Sequence, residues 1–130
     1  MKKEIVRVSP ISDLTEKLGV PLSAAVKANG FVFVSGMPPA DPKTGQLVRG
    51  DIVKQTELCL ENVKAAVQAA GSSLDKVVKV TIYAANSAYY PTINKVYARY
   101  FPTDPPVRGF ICVSPWHGPF DVEIDCIAAA

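Results

Sequence analysis

The chain has 130 residues, which suits one domain, because a second hydrophobic core would leave both halves too small. Hydrophobic residues make up 48% of it and charged residues 20%, a balance typical of globular rather than disordered proteins. The net charge is only +2, and the 14 Lys and Arg residues are dispersed. We therefore expect a single domain over residues 1–130. We expect no nucleic-acid partner, since nucleic-acid binding needs clustered positive charge.

The N-terminal residues are charged, with Lys2, Lys3, Glu4 and Arg7 close together, so no apolar core of a secretory signal develops there. No apolar run reaches the roughly 18–20 residues that a membrane-spanning helix needs. These patterns predict a protein without a membrane partner that is either cytosolic or processed from a precursor.

The sequence contains no pattern that would hold a metal ion or a cofactor. Its three cysteines are widely spaced, without a second Cys or a His at a metal-binding distance, and each stands among apolar neighbours (Cys59, Cys112 and Cys126). We expect all three to be small core side chains. No P-loop, dinucleotide fingerprint or nucleophilic triad is present, so any reaction would proceed without a cofactor or metal.

The first half of the chain predicts three strands and then a loop. Residues 4–8, 23–28 and 31–35 are rich in β-forming or alternating apolar residues. Asn29-Gly30 lies between the second and third strands and is a strong signal for a tight hairpin. Residues 36–50 carry the prolines, glycines and polar residues of a loop.

The middle of the chain predicts two helices that flank a strand. Asp51 is placed to cap the first helix and Gly71 to end it, with apolar residues at helical spacing between them. Residues 77–84 form an apolar strand. Pro91 opens the second helix, which ends before Pro102.

The last third predicts two strands, at residues 108–114 and 121–128, and the order becomes βββ-α-β-α-ββ. This order is typical of a two-layer α+β domain with a mixed six-stranded sheet and both helices on one face. In the last strand Val122, Ile124 and Cys126 would share one face, while Glu123, Asp125 and Ile127 would share the other. That second sheet face is either exposed to solvent or an oligomer surface.

Two charged residues are the leading candidates for chemistry. Arg108 begins a strand after two prolines, and its planar guanidinium suits bidentate binding of a carboxylate. It could equally be a surface arginine paired with an acid. Glu123 could orient or activate a water, or could simply be a solvated strand residue.

Two short motifs are weaker candidates. Ser35-Gly36 ends a strand, where glycine permits close backbone approach to a ligand, although Ser-Gly is also common turn chemistry. Trp116-His117 lies in a proline-flanked turn, so Trp116 could line a pocket, contact another subunit or cover the core. His117 lacks a relay partner in sequence and is better explained as a turn residue than as a base.

Taken together, these residues resemble the RidA/YjgF family of enamine and imine deaminases over almost the whole chain. The matching segments are FVSG at 33–36, TG at 44–45, GDI at 50–52, QT at 55–56, NV at 62–63, AG at 70–71, VVKVT at 77–81, NKVY at 94–97, PVR at 106–108 and VEIDCIA at 122–128, together with Phe101. The resemblance implies a chorismate-mutase-like fold and a homotrimer with clefts between subunits, which would cover the open sheet face.

The resemblance also implies roles for individual residues. Arg108 would bind the substrate carboxylate and Glu123 would hold the catalytic water, with Ser35, Gly36 and Asn94 in the substrate site. The implied reaction is the hydrolysis of a 2-aminoacrylate-like enamine, through its imine, to a 2-oxo acid and ammonia.

The chain departs from the family pattern around this site. Leu22 stands where a tyrosine is usual, Met37 where a glutamine is frequent and Phe110 where a cysteine is frequent, and Trp116 adds bulk in the turn. These residues predict a more apolar pocket and a larger or more apolar substrate. The alternative hypothesis is a non-catalytic trimer that binds small carboxylates or acts in regulation.

Overall fold

A computed structural model describes residues 2–114, 116 and 118–130 of the protein. It consists of one six-stranded mixed sheet and three α-helices, together with short 3-10 turns at Leu74–Lys76 and Ser87–Tyr89. The strands are β1 (Glu4–Val6), β2 (Ala25–Ala28), β3 (Phe31–Met37), β4 (Val77–Ala84), β5 (Val107–Cys112) and β6 (Val122–Ala129), and the helices are α1 (Ile11–Leu18), α2 (Ile52–Ala69) and α3 (Tyr90–Tyr100).

The strand order in the sheet is β1-β2-β3-β6-β4-β5, and only β4 and β5 are parallel. A parallel pair needs a crossover, which α3 supplies between β4 and β5. The last strand, β6, lies between β3 and β4 and joins the two halves of the sheet. The predicted fold class, an α+β domain with a mixed six-stranded sheet, is confirmed.

The hairpin between β2 and β3 and both ends of α2 form where the turn and cap residues of the sequence predict them. Asn29 and Gly30 adopt positive φ angles of 50° and 81°, as a tight hairpin turn between β2 and β3 requires. The Asp51 side chain accepts a hydrogen bond of 2.8 Å from the Val53 amide and caps α2. Gly71, at a φ of 83°, follows the end of this helix.

The core lies between the sheet and the helices α2 and α3. Every second residue of β6 is buried, and the Cys59 thiol of α2 donates to the Val122 carbonyl, which places α2 against this face. Cys59 and Cys126 are buried as predicted. Cys112 is exposed instead, because it ends β5 at the edge of the sheet.

Helix α1 is an element that the sequence analysis misses. It has eight residues, and Pro10 at its N-terminus provides no side-chain cap, so the usual start signal is absent. Tertiary contacts hold it: Ile11 enters the core, and Arg7 donates to the carboxylates of Asp13 and Glu16 at 2.8 and 2.6 Å. Strand β1 therefore ends at Val6, before the turn into α1.

On the opposite face of the sheet, one residue from each strand contributes to a row of cross-strand neighbours. Their side chains point away from the core, because successive side chains of a strand point to opposite faces. The register aligns these residues as Ile5, Val26, Phe33, Ile127, Lys79 and Val107. Phe33 is 43% exposed and Val107 is 67% exposed. A single chain thus presents an apolar surface with scattered polar groups on this face.

Candidate functional site

Arg108 lies against two tyrosines of α3. Its guanidinium carbon is 4.9 Å from the ring centroid of Tyr97 and 5.5 Å from that of Tyr90. One guanidinium nitrogen also donates to the Tyr90 hydroxyl at 3.3 Å. Aromatic faces attract a cation without neutralising it, so these contacts orient Arg108 and leave its charge for an anion.

The same face of α3 carries two polar atoms without a partner. Tyr90, Asn94 and Tyr97 are four and three residues apart, which puts them on one side of the helix. The Tyr97 hydroxyl and the Asn94 carbonyl oxygen are buried and have no hydrogen-bond partner among the described residues. Burial raises the pKa of Tyr97 to about 12, against the opposing effect of the Arg108 charge, so Tyr97 stays neutral at physiological pH.

Phe110 completes this cluster. It follows Arg108 by two residues and therefore projects from the same face of β5. Its ring meets the Tyr90 ring edge-on, with centroids 4.8 Å apart. We call Arg108, Tyr90, Asn94, Tyr97 and Phe110 the arginine cluster. Neither tyrosine is predicted as a site residue from the sequence, where Tyr97 appears only in the family segment at 94–97. The spacing of the two tyrosines relative to Asn94 is the signal that could have identified them.

Glu123 belongs to a second cluster, next to Gly36. A Cβ atom on Gly36 would meet the Glu123 carboxylate at a distance that real Cβ atoms do not show, so only glycine leaves room for that carboxylate. Strand β3 carries one extra residue between Val34 and Met37 relative to β6. Such a bulge redirects the chain locally and places Gly36 beside Glu123.

Ser35 is partly buried in the same bulge, and its amide donates to the Ala24 carbonyl at 2.9 Å. The prediction that Met37 lines the substrate pocket is wrong, because the structure places its side chain in the core. Its side chain is 0% exposed and it pairs with buried Ile124, so β3 continues inward past the predicted loop start at residue 36.

A groove of about 350 Å³ runs from Glu123 and Gly36 to helix α1. Leu22 lines it, as does Phe120, whose ring meets the Trp116 ring edge-on with centroids 5.4 Å apart. Trp116 therefore contacts a lining residue of the groove and is not among the described residues that line it. His117 lies outside the described residues.

Within one chain, Arg108 and Glu123 lie on opposite faces of the sheet. Arg108 pairs with Val80, whose side chain is buried on the helix-covered face. Glu123 pairs with Tyr83, which alternates with buried Ile82 and so points to the open face. A single chain consequently does not bring the two predicted catalytic groups together.

Among the described residues, no group of three or more His, Cys, Asp or Glu side chains is arranged to hold a metal ion. The same residues contain no helix that is both long and apolar enough to cross a bilayer.

Comparison with known proteins identifies the family. The family model described as endoribonuclease L-PSP matches residues 16–130. A RutC family protein of Pyrococcus horikoshii is 45% identical over 108 residues, which are 83% of this chain and 86% of the relative. The chain therefore belongs to the YjgF/Rid family.

Two further comparisons agree with this family membership. The chloroplastic Reactive Intermediate Deaminase A of Arabidopsis thaliana is 39% identical over 132 residues, 98% of this chain and 66% of the relative. The crystal structure of YyfA, a Rid-family protein of unknown function from Yersinia pestis, is 36% identical with a TM-score of 0.87 and covers 99% of this chain and 100% of that one. The predicted family is thus confirmed.

Proposed function

We propose that the chain is a cofactor-free hydrolytic deaminase that converts 2-imino acids, and the enamines in equilibrium with them, to 2-oxo acids and ammonia. The observation that carries this proposal is the arginine cluster, in which Tyr90 and Tyr97 orient Arg108 while leaving its charge unpaired by any described carboxylate. Similarity to Reactive Intermediate Deaminase A supports the reaction class.

In the proposed reaction, Arg108 binds the substrate carboxylate and thereby fixes the imine carbon in space. Glu123 orients a water and accepts a proton from it as the water oxygen bonds to that carbon. The electron pair of the C=N bond moves to nitrogen, which takes the proton that Glu123 accepted from the water. The carbinolamine then collapses: the hydroxyl proton passes to the nitrogen by way of the Glu123 carboxylate, the C–N bond breaks with its electron pair on nitrogen, ammonia leaves, and the C=O bond of the 2-oxo acid forms.

This reaction needs Arg108 and Glu123 at one substrate, although one chain carries them on opposite sheet faces. We propose a homotrimer in which Arg108 of one protomer and Glu123 of its neighbour face the same cleft. The open sheet face supports this assembly, because Phe31, Phe33 and Ile111 are 41–47% exposed there in the single chain. The cytosolic location expected from the sequence stays a prediction.

The direct test is to generate imines with an amino-acid oxidase in the presence of catalase and to time their loss with and without the purified protein. Wild-type protein should shorten the imine lifetime, and Arg108→Ala should give the rate seen without protein. If wild-type protein leaves the lifetime unchanged, the deaminase proposal is wrong.

The alternative is a trimer that binds small carboxylates without converting them. It is favoured by Leu22, which offers no hydrogen-bond donor in the groove, and by Phe110, which packs on Tyr90. Calorimetry with 2-oxo acids would then show binding that Arg108→Ala abolishes, in a protein with no effect on imine lifetime. Despite the endoribonuclease description of the family, we do not propose RNA cleavage, since the basic residues are dispersed.

A further inference from the structure

The groove beside Glu123 is lined mainly by apolar side chains, to which the proposed reaction assigns no role. Its walls come from α1, the segment after α1, the β3 exit loop and the turn before β6. Most of its lining side chains are apolar, and they include Leu14, Leu18, Val20, Leu22, Leu47 and Phe120. Of the described residues that line it, only Glu123 is ionisable.

Thr15 contributes the other polar side chain among the described lining residues, and its hydroxyl already has hydrogen-bond partners within α1. The Thr15 hydroxyl lies within hydrogen-bonding distance of the carbonyl oxygens of Ile11 and Ser12, at 3.1 and 3.2 Å, one turn earlier in α1. Such back-bonding leaves the Thr15 methyl group, rather than a free donor, as its contribution to the lining. Away from Glu123, the groove therefore has little to offer a polar ligand group and much to offer an apolar one.

Helix α1 makes a preformed wall. Arg7 of the segment before it donates to Glu16 from two guanidinium nitrogens, at 3.1 and 2.6 Å, and to Asp13 at 2.8 Å. Ile11, at the base of the groove, is only 2% exposed and anchors the helix in the core. Because this wall is ordered before a ligand binds, binding does not carry the entropic cost of ordering it.

The outer part of this wall is nevertheless exposed in the absence of a ligand. Leu18, Val20 and Leu22 are 64%, 41% and 44% exposed, and they are contiguous with the position of the water-holding Glu123. An apolar surface that continues a reaction site is a natural place for the variable part of a substrate.

We infer that this groove is the side-chain subsite of the enzyme and that the preferred substrates are 2-imino acids with branched aliphatic or aromatic side chains. This inference rests on the proposed function. A substrate has a carboxylate, an imine carbon and a side chain to place. The carboxylate binds Arg108, the imine carbon faces the water at Glu123, and the apolar groove leading away from Glu123 receives the side chain.

The experiment compares the imines that an oxidase releases from alanine, leucine and phenylalanine. Each extra methylene in a fitting apolar pocket contributes about tenfold or more to kcat/KM. We expect leucine- and phenylalanine-derived imines to react with at least tenfold higher kcat/KM than the alanine-derived imine. Equal values for the three imines would overturn the subsite while leaving the deaminase proposal in place.

Two variants locate the effect in the groove. Leu22→Asn and Leu18→Asn replace exposed leucines of the wall with a polar side chain of similar size, and each should lower kcat/KM for the leucine-derived imine at least fivefold while changing the alanine-derived value less than twofold. Val53→Asn, a partly exposed apolar residue of α2 outside the groove lining, is the matched control and should change neither value.

The outcomes separate the two proposals. If no imine, including the alanine-derived one, is accelerated, the proposed function itself is wrong. If all are accelerated and Leu22→Asn and Leu18→Asn behave like Val53→Asn, the side chain binds elsewhere and the subsite is wrong. Thermal unfolding of each variant excludes a folding defect as the cause of a lower rate.

Discussion

The guanidinium carbon of Arg108 lies 4.9 Å from the centroid of the Tyr97 ring, so a buried aromatic face of α3 supports the cation of the edge strand β5. The Tyr97 hydroxyl takes no part in a hydrogen bond among the described residues. The ring and the hydroxyl therefore have separable contributions: the ring orients Arg108, while the hydroxyl only adds the cost of a buried polar group.

Two substitutions of Tyr97 should separate these contributions. Tyr97→Phe keeps the ring and removes the unpaired hydroxyl, so 2-oxo acid affinity should be retained and the melting temperature should be unchanged or higher. Tyr97→Leu removes the ring and should weaken 2-oxo acid binding about 2- to 30-fold, equivalent to the roughly 0.5–2 kcal/mol of a cation–π contact.

Calorimetry and thermal unfolding of the two Tyr97 variants measure these effects. If Tyr97→Phe weakens binding as much as Tyr97→Leu, the hydroxyl contacts the ligand and the ring is not the orienting group.

Gly36 and Glu123 should act as one unit. Glu123→Gln preserves shape and removes the base, so kcat should fall about 100- to 10,000-fold with a small change in KM. Gly36→Ala displaces the carboxylate and should lower kcat at least tenfold, because misplacement of about 1 Å is costly. The melting temperature should change little, since the displaced group is the far end of a side chain.

The double variant tests whether the two residues are coupled. With Glu123→Gln already present, Gly36→Ala should cause no further loss of kcat, because the group that it displaces no longer acts as a base. Multiplicative losses would mean that Gly36 contributes through its own backbone instead.

The three cysteines should differ in reactivity. Burial raises the pKa of Cys126 to about 12 and raises that of fully buried Cys59 well above its usual value, so neither forms a thiolate near neutral pH. Cys112 is exposed at the end of β5. Alkylation of the native protein at pH 8 should add one label, at Cys112, and mass spectrometry should find three only after denaturation; rapid labelling of Cys59 would contradict the packing of α2 on β6.

Sequence reasoning succeeds where the structure is fixed by local chemistry. Asn29-Gly30 forms the predicted hairpin because both residues tolerate positive φ, and Asp51 begins α2 because its carboxylate caps the helix. Helix α1 is missed because it lacks such a cap and is held by contacts of Arg7 and Ile11 that no short-range pattern records.

The candidate site was harder to predict than the fold because it depends on register. Alternation gave the faces of β6 correctly, but the bulge that turns Met37 into the core arises from the pairing of β3 with β6. The opposite orientations of Arg108 and Glu123 likewise follow from their pairing with β4. In the sequence the two are fifteen positions apart, and it is the pairing of their strands with β4 that shows one chain separates them.

That separation leads to the sharpest test of the proposed trimer. If each cleft takes Arg108 from one protomer and Glu123 from its neighbour, two inactive variants should complement each other. A mixed trimer of Arg108→Ala and Glu123→Gln chains contains one cleft with both native residues, whichever variant is in the majority. Random mixing in equal amounts makes about three quarters of the trimers mixed, so about a quarter of the wild-type activity should return.

The complementation is measured after co-expression of the two variants with different affinity tags and purification through both tags. Every trimer recovered in this way is mixed, so its activity should rise to about a third of wild type. Each variant expressed alone, at the same concentration, is the control. Doubly tagged trimers that remain inactive would place Arg108 and Glu123 in different sites, and protein that never carries both tags would refute the assembly itself.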